Sequence, residues 1–312
     1  MYDLLVAGEI NVDLILQDEV IEPQFGREIL VQDALLTLGS SSVIMACGAA
    51  RLGLHTAFFG LVGDDEFGAF MLRGMQERGV DTSHIRPDPA LRTGLTVSLS
   101  TTRDRAMITF MGAIDALRAE RVPPELLSQA KHLHIGSFFL QKKLRAGLPG
   151  LFRQAHALGL TTSLDFGWDP EERWDGDLHK ALEQADVVMP NETEAMHITG
   201  AKMPEEALDR LARRVPLVAI KLGAAGAIAA RDIERAHAPA IRVEVVDTTG
   251  AGDSFDAGFI YGYLRGWSLE RSLRLACACG SLSTRANGGT TAQPTLEEAI
   301  AAGSSLTMES SA

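Results

Sequence analysis

Cysteine is scarce in this chain: Cys47, Cys277 and Cys279 are the only three among 312 residues. So small and odd a number builds no disulfide framework and suits free thiols in a reducing compartment. Basic residues are also few, 29 Lys plus Arg against 41 Asp plus Glu, and the formal charge of −12 repels phosphate backbones and anionic membranes. Neither nucleic acid nor a membrane is expected as a partner. Long apolar runs are missing too: the longest, such as 215-VPLVAI-220, fall far short of the roughly 18 residues of a membrane span. The opening MYDLLVAGEI lacks the basic and long apolar regions of a secretion signal, so a cytoplasmic location is expected. Two phosphate-binding devices are absent. No GxxxxGK[ST] loop occurs, and 8-GEINVD-13 fails the GxGxxG pattern that a dinucleotide-binding dehydrogenase needs after its first strand.

What the chain does have is apolar bulk, 46% hydrophobic residues against 22% charged, enough for a large core and one domain spanning 1–312. The runs 4-LLVAG-8, 57-AFFGLVG-63, 132-HLHIG-136, 161-TTSLDFG-167, 186-DVVMP-190 and 217-LVAIKLG-223 each stop at a glycine, a proline or a polar turn, and predict buried strands. Between several of them, 42–53, 68–79, 144–159 and 205–215 carry the apolar period of a helix. This alternation predicts an α/β domain of three α/β/α layers around a mostly parallel sheet. Two segments break the rhythm. Residues 14–36 and 92–112 alternate as extended chain without helical period, the second around a polar turn 101-TTRDR-105, and read as hairpins outside the main sheet. The Ser- and Ala-containing tail from Ala302 is expected to fray.

The stretch 245-VVDTTGAGDSFDAGFIYGYL-264 carries the chemistry. A strand ending at 243-VEVV-246 that turns through Gly250, Ala251 and Gly252 into a helix leaves backbone amides without intrahelical acceptors, and these amides plus the helix dipole make an anion site. Asp253 stands in the first helical turn, where it can accept a proton from an attacking hydroxyl beside a bound phosphoryl group. A capped helix start alone would also account for Gly and Asp there.

The full string DTTGAGDSFDAGF resembles the C-terminal signature of the ribokinase-like (PfkB-type) carbohydrate kinases. The similarity runs along the chain: 7-AGEINVDLI-15 resembles the family's first strand and sugar-contact turn, 39-GSSSVIMACGAARLG-53 with 60-GLVGDDEFG-68 its first signature, 190-PNETEA-195 its NxxE motif, and 220-IKLGAAGA-227 its nucleotide-side strand and turn. The resemblance implies a ribokinase-like fold with a small β-sheet lid from segments 14–36 and 92–112. It implies transfer of the γ-phosphate of ATP to a primary hydroxyl of a small sugar or sugar acid, with Asp253 as base and the amides of Gly250, Ala251 and Gly252 as anion hole. Asn191 and Glu194 would organise Mg²⁺ through water, and Lys221, Gly223, Gly226 and Cys277 would lie near the nucleotide. Asn11, Asp13, Gly39, Ser40, Ser41 and Asp165 would face the sugar. Asp247 and Thr249 resemble a site for a monovalent cation such as K⁺, whose other half would come from 285-RANGGTT-291. Lids of this type pair between subunits, which implies a homodimer.

The chain departs from the family where a second glycine and an asparagine are usual in the first signature: here stand Ser40 and Ile44. Cys277 stands where many relatives have an asparagine. A nucleoside kinase on the same fold and a silent sugar- or nucleotide-binding regulator are the alternatives. Other features read as structural. The Cys277–Cys279 pair suits a buried small-residue helix, His132 and His134 share one face of a strand, and Asp64, Asp65 and Glu66 suit a capped helix start. Asp256, one turn beyond Asp253, is expected in solvent or favoured by the helix dipole, and Asp165 either contacts a ligand or orders its loop.

Overall fold

The computed structural model describes residues 1–101, 105–175 and 177–309, with side chains described as far as residue 303. The centre of the expected turn 101-TTRDR-105 and the last three residues of the tail lie outside the described residues; the rest of the tail, from Ala302, continues a helix to Glu309.

Six strands run parallel in one eight-stranded sheet: β1 (Leu4–Ala7), β4 (Thr56–Phe59), β9 (His132–Ile135), β10 (Thr161–Leu164), β11 (Val187–Val188) and β12 (Leu217–Lys221). Two antiparallel strands, β13 (Ala227–Arg231) and β14 (Glu234–Ala238), finish one edge, giving the order β14-β13-β12-β11-β10-β9-β1-β4. In the inner strands both residue parities are buried because both faces are covered. Leu4, Val6, Leu217 and Ala219 enter one core with α1 (Ser41–Arg51), α2 (Glu66–Glu77), α8 (Ala251–Leu264), α9 (Leu269–Ser283) and α10 (Leu296–Glu309). Their neighbours Leu5, Ala7, Val218 and Ile220 enter another with α3 (Pro124–Leu127), α4 (Lys142–Ala157), α5 (Leu178–Leu182), α6 (Glu192–Thr199) and α7 (Pro204–Ala212). The expected α/β/α layering is present.

A four-stranded sheet stands apart, in the order β3 (Asp33–Leu38), β2 (Asn11–Gln17), β7 (Gly94–Ser100), β8 (Arg105–Phe110), with only β2 and β7 parallel. Its cross-strand rows alternate. Leu36, Leu14, Val97 and Ile108 share one face, while Thr37, Asp13, Thr96 and Thr109 share the other.

Two expectations need correction. The run 57–63 is not one strand: Gly60, where a Cβ would meet the Gly8 carbonyl at 2.8 Å, separates β4 from β5 (Leu61–Gly63), which pairs with β6 (Arg86–Asp88) instead. Residues 243–246 are not a strand either. The sheet has ended at β14, and this segment is held by the Val246 and Asp247 amides, which both donate to the Thr284 carbonyl. Its half-exposed valines are cavity wall, not sheet core.

Candidate active site

Helix α8 begins directly after Gly250, whose φ of 73° is left-handed and whose missing Cβ would lie 2.7 Å from the Gly289 Cα and 2.9 Å from the Ile44 Cγ2. Any other residue there would be strained and crowded, so glycine at 250 is a condition of the turn. The Ala251 amide is directed to the Thr248 carbonyl at 3.3 Å, a long bond that an incoming anion can replace.

Asp253 follows in the first turn, partly buried. One oxygen each of Asp165, Asp253 and Asp256 lie within 4.8 Å of one another. Among them stands Lys221 at the end of β12, its Nζ 2.9 Å from Asp165 and 3.2 Å from Asp256. Asp256 is 1% exposed, which corrects the expectation of a solvated residue. Helical spacing puts it on the Asp253 face, and β12 delivers a cation to pair with it. Burial alone would depress the Lys221 pKa, but Asp165, Asp256 and Glu194 outweigh it and hold the ammonium charged. Burial and the Asp165 charge raise the Asp253 carboxyl to about 7, against the opposing pull of Lys221. A carboxyl poised there can take a proton near neutral pH.

Asn191 and Glu194 form a capping box at the start of α6: the Asn191 side chain accepts from the Glu194 amide at 2.9 Å, and Glu194 Oε2 accepts from the Asn191 amide at 3.0 Å. Glu194 is 5% exposed, and burial with the Asp165 charge raises it to about 7. An isolated bridge couples Asn191 to Lys221 and so ties this turn to the acidic cluster.

A cavity of about 600 Å³ opens beside Gly252 and is lined by Lys221, Gly223, Gly226, Phe255 and Cys277, on apolar walls that include Ile241 and Val243. The volume lies in the range of roughly 300–1,000 Å³ usual for small-molecule sites. Four residues expected near a nucleotide thus share one hollow. Burial pushes the Cys277 thiol up to about 12, which leaves it an unreactive wall.

Ser41 adjoins Asp253, and the residues before it, Gly39 and Ser40, pack against Asn11 and Asp13 and against Glu9. Asn11 Nδ2 donates to Asp13 at 3.0 Å, and a Cβ on Gly39 would meet Asp13 Oδ1 at 2.2 Å, so glycine is required where the two side chains crowd the backbone. The Ser41 side chain lies close enough to Asp253 to favour its charged form, and joins this corner to the turn at Gly250. Sequence reading passed over Glu9. Its carboxylate, 2% exposed, accepts from the Ser42 hydroxyl at 2.6 Å and from Gln141 Nε2 at 2.9 Å. Ser40, at the expected glycine position, keeps the glycine-like backbone with φ 70° and ψ 123°. That conformation costs a non-glycine residue about 1–3 kcal/mol. Its hydroxyl donates to the Glu9 carbonyl at 2.7 Å, with Glu9 Oε1 at 3.0 Å, and a hydrogen bond of this kind offsets about 0.5–1.5 kcal/mol of that cost. The acid in 8-GEINVD-13, at the end of an all-apolar strand, was the signal. Ile44 packs beneath Gly250 and Gly289 and supports the turn.

Asp247 and Thr249 are brought together, the Asp247 Oδ1 accepting from the Thr249 amide at 2.8 Å and hydroxyl at 2.7 Å. Asp165 acts through Lys221, as well as through its place beside Asp253.

Comparison with known proteins follows the same lines. The model of the pfkB family carbohydrate kinases matches residues 1–296. A fructokinase of Klebsiella pneumoniae is 34% identical over 82% of this chain and 88% of its own. An ATP-dependent ribose-1-phosphate kinase of Halopiger xanaduensis is 30% identical over 97% and 98%. Among solved structures, an E. coli protein provisionally assigned as ribokinase II, in complex with ATP and Mg²⁺, is 27% identical and superposes with a TM-score of 0.85 over 96% of this chain and 98% of that one. The adenosine kinase of Sinorhizobium meliloti, also 27% identical, gives 0.83 over 97% and 99%.

Proposed function

Because the chain belongs to the pfkB family of carbohydrate kinases, we propose that it transfers the γ-phosphate of ATP to a primary hydroxyl of a small sugar or sugar acid. The observation that carries this reading is the position of Asp253 at the mouth of a helix, next to Gly252 on the wall of a cavity of about 600 Å³, with Ser41 and the Lys221 ammonium nearby. Its raised pKa suits it to remove the acceptor proton, and the amides of Gly250, Ala251 and Gly252 face the charge that builds on the phosphoryl oxygens. Lys221 Nζ would lie 3.4 Å from a Cβ on Gly252, so its charge stands at the same oxygens. Asn11 and Asp13 hold the acceptor by its hydroxyls, and Asp165 keeps Lys221 in place.

The buried Glu194 carboxylate, with the Asn191 amide beside it, offers hard oxygen donors that suit Mg²⁺; bound there through water, the ion would neutralise phosphate charge during transfer. The small sheet turns the Asp13 and Thr96 face to the site and serves as a lid that excludes water. The opposite face is apolar and open, Ile108 62% and Phe110 46% exposed, and would pair with the same face of a second copy.

The test is an acceptor screen with Mg²⁺ and ATP over D-fructose, D-ribose, 2-dehydro-3-deoxygluconate and adenosine, scored by ADP release and phosphosugar formation. Turnover of a sugar or sugar acid is the expected result. Turnover of adenosine alone would move the assignment to a nucleoside kinase, and no phosphoryl transfer to any acceptor would overturn the reading.

A further inference from the structure

The row Asp33, Gln17, Ser100 and Arg105 crosses the small sheet at its tip, on the face shared with Asp13. Two members of this row reach across to the loops behind the phosphate turn. Gln17 and Asn287 exchange amide hydrogen bonds of 3.0 and 3.2 Å, and Arg105 Nη1 donates to Thr249 Oγ1 at 2.7 Å with the Asp247 carboxylate at 3.9 Å.

These contacts bear on the monovalent cation that the family resemblance implies at Asp247 and Thr249. The Asp247 oxygens are already engaged: Oδ1 accepts from the Thr249 amide and hydroxyl, and Oδ2 accepts from the Gly288 amide at 2.9 Å. The Thr249 hydroxyl also receives the arginine. A fixed, non-titrating positive charge therefore adjoins the carboxylate that a free cation would need. These side chains do not fit a monovalent metal ion.

We infer that Arg105 is the cation of this corner: its guanidinium, delivered by the small sheet, holds the 247–250 turn in shape, so that the enzyme works without K⁺. The inference rests on the kinase reading above and adds a coupling to it. A free ion would shape the turn whether the lid is open or closed, whereas a lid-borne arginine shapes it only on closure. Exclusion of water and assembly of the anion hole then become one event. Arg105 is a positioning residue, since it acts on the turn and not on the reacting atoms.

The decisive experiment is calorimetry of the full chain with Mg²⁺ and β,γ-imido-ATP, in potassium chloride and in tetramethylammonium chloride at equal ionic strength. Wild type is expected to bind equally in both, within about twofold, because the fixed charge is already present. Arg105→Met is expected to bind at least about fivefold more weakly in tetramethylammonium, with Arg105→Lys recovering most of the loss, while thermal unfolding without nucleotide stays within a few degrees of wild type. Potassium tightening wild-type binding more than about threefold would overturn the inference, as would an Arg105→Met protein that matches wild type in both salts. Wild type failing to bind the nucleotide in either salt would overturn the kinase reading itself, and this inference with it.

Discussion

The two sheets of this protein are built on opposite terms. The inner strands of the large sheet are buried on both faces, so Leu4 and Leu5 point into different cores and nothing about them can move cheaply. The small sheet buries neither face fully. One side carries Asp13, Thr96 and Arg105, and the other leaves Leu36 and Ile108 exposed. The rigid sheet ends in the groups that must stay fixed, Lys221 and Asp165. The marginal sheet carries Asp13 and Thr96, which the proposed lid would bring over an acceptor.

The sharpest way to break that comparison is to disable the rigid side. Asp253→Asn should lower turnover by about 10²- to 10³-fold while ATP binding stays within a few-fold, as read by steady-state kinetics and calorimetry. The same substitution tests the electrostatics. Asp253 has a folded pKa raised to about 7, so its contribution to stability is fully present below its unfolded value and is lost as pH rises through 7. Unliganded wild type should therefore lose stability between about pH 4 and pH 7 more steeply than Asp253→Asn, and wild-type kcat/KM should climb through pH 7 as the base deprotonates. Equal pH slopes in the two proteins would refute the raised pKa.

Lys221→Met comes next. It leaves Asp165 and Asp256 facing each other without their cation, and removing one partner of such a buried pair costs about 3–5 kcal/mol, measurable by denaturant unfolding. The smallest effect belongs to the marginal sheet: Ile108→Lys should change monomer stability by less than about 0.5 kcal/mol yet abolish self-association in sedimentation, because it charges an exposed apolar face. Unchanged sedimentation would remove that face as an interface.

Much of this was legible along the chain. The alternation of apolar runs and helical periods fixed the layers, since each is a local pattern imposed by one covered face. The phosphate turn was legible because glycine at 250 is a local backbone requirement, and the capping box because Asn191 and Glu194 are three residues apart. The reading of 243–246 as a strand failed for the complementary reason: valines line a cavity as readily as a sheet, and only the end of the sheet at Ala238 distinguishes the two.

By itself, then, the sequence determined the layers, the left-handed turn at Gly250 and the acid in the helical turn after it, all of which depend on residues a few positions apart. The tertiary structure alone decided that Asp256 is buried against a lysine 35 residues upstream, that Glu9 anchors Ser40 across 31 residues, and that Arg105 reaches a threonine 144 residues away. Charge pairing over such separations has no sequence period. It exists only because the folded sheets place the ends of distant strands side by side.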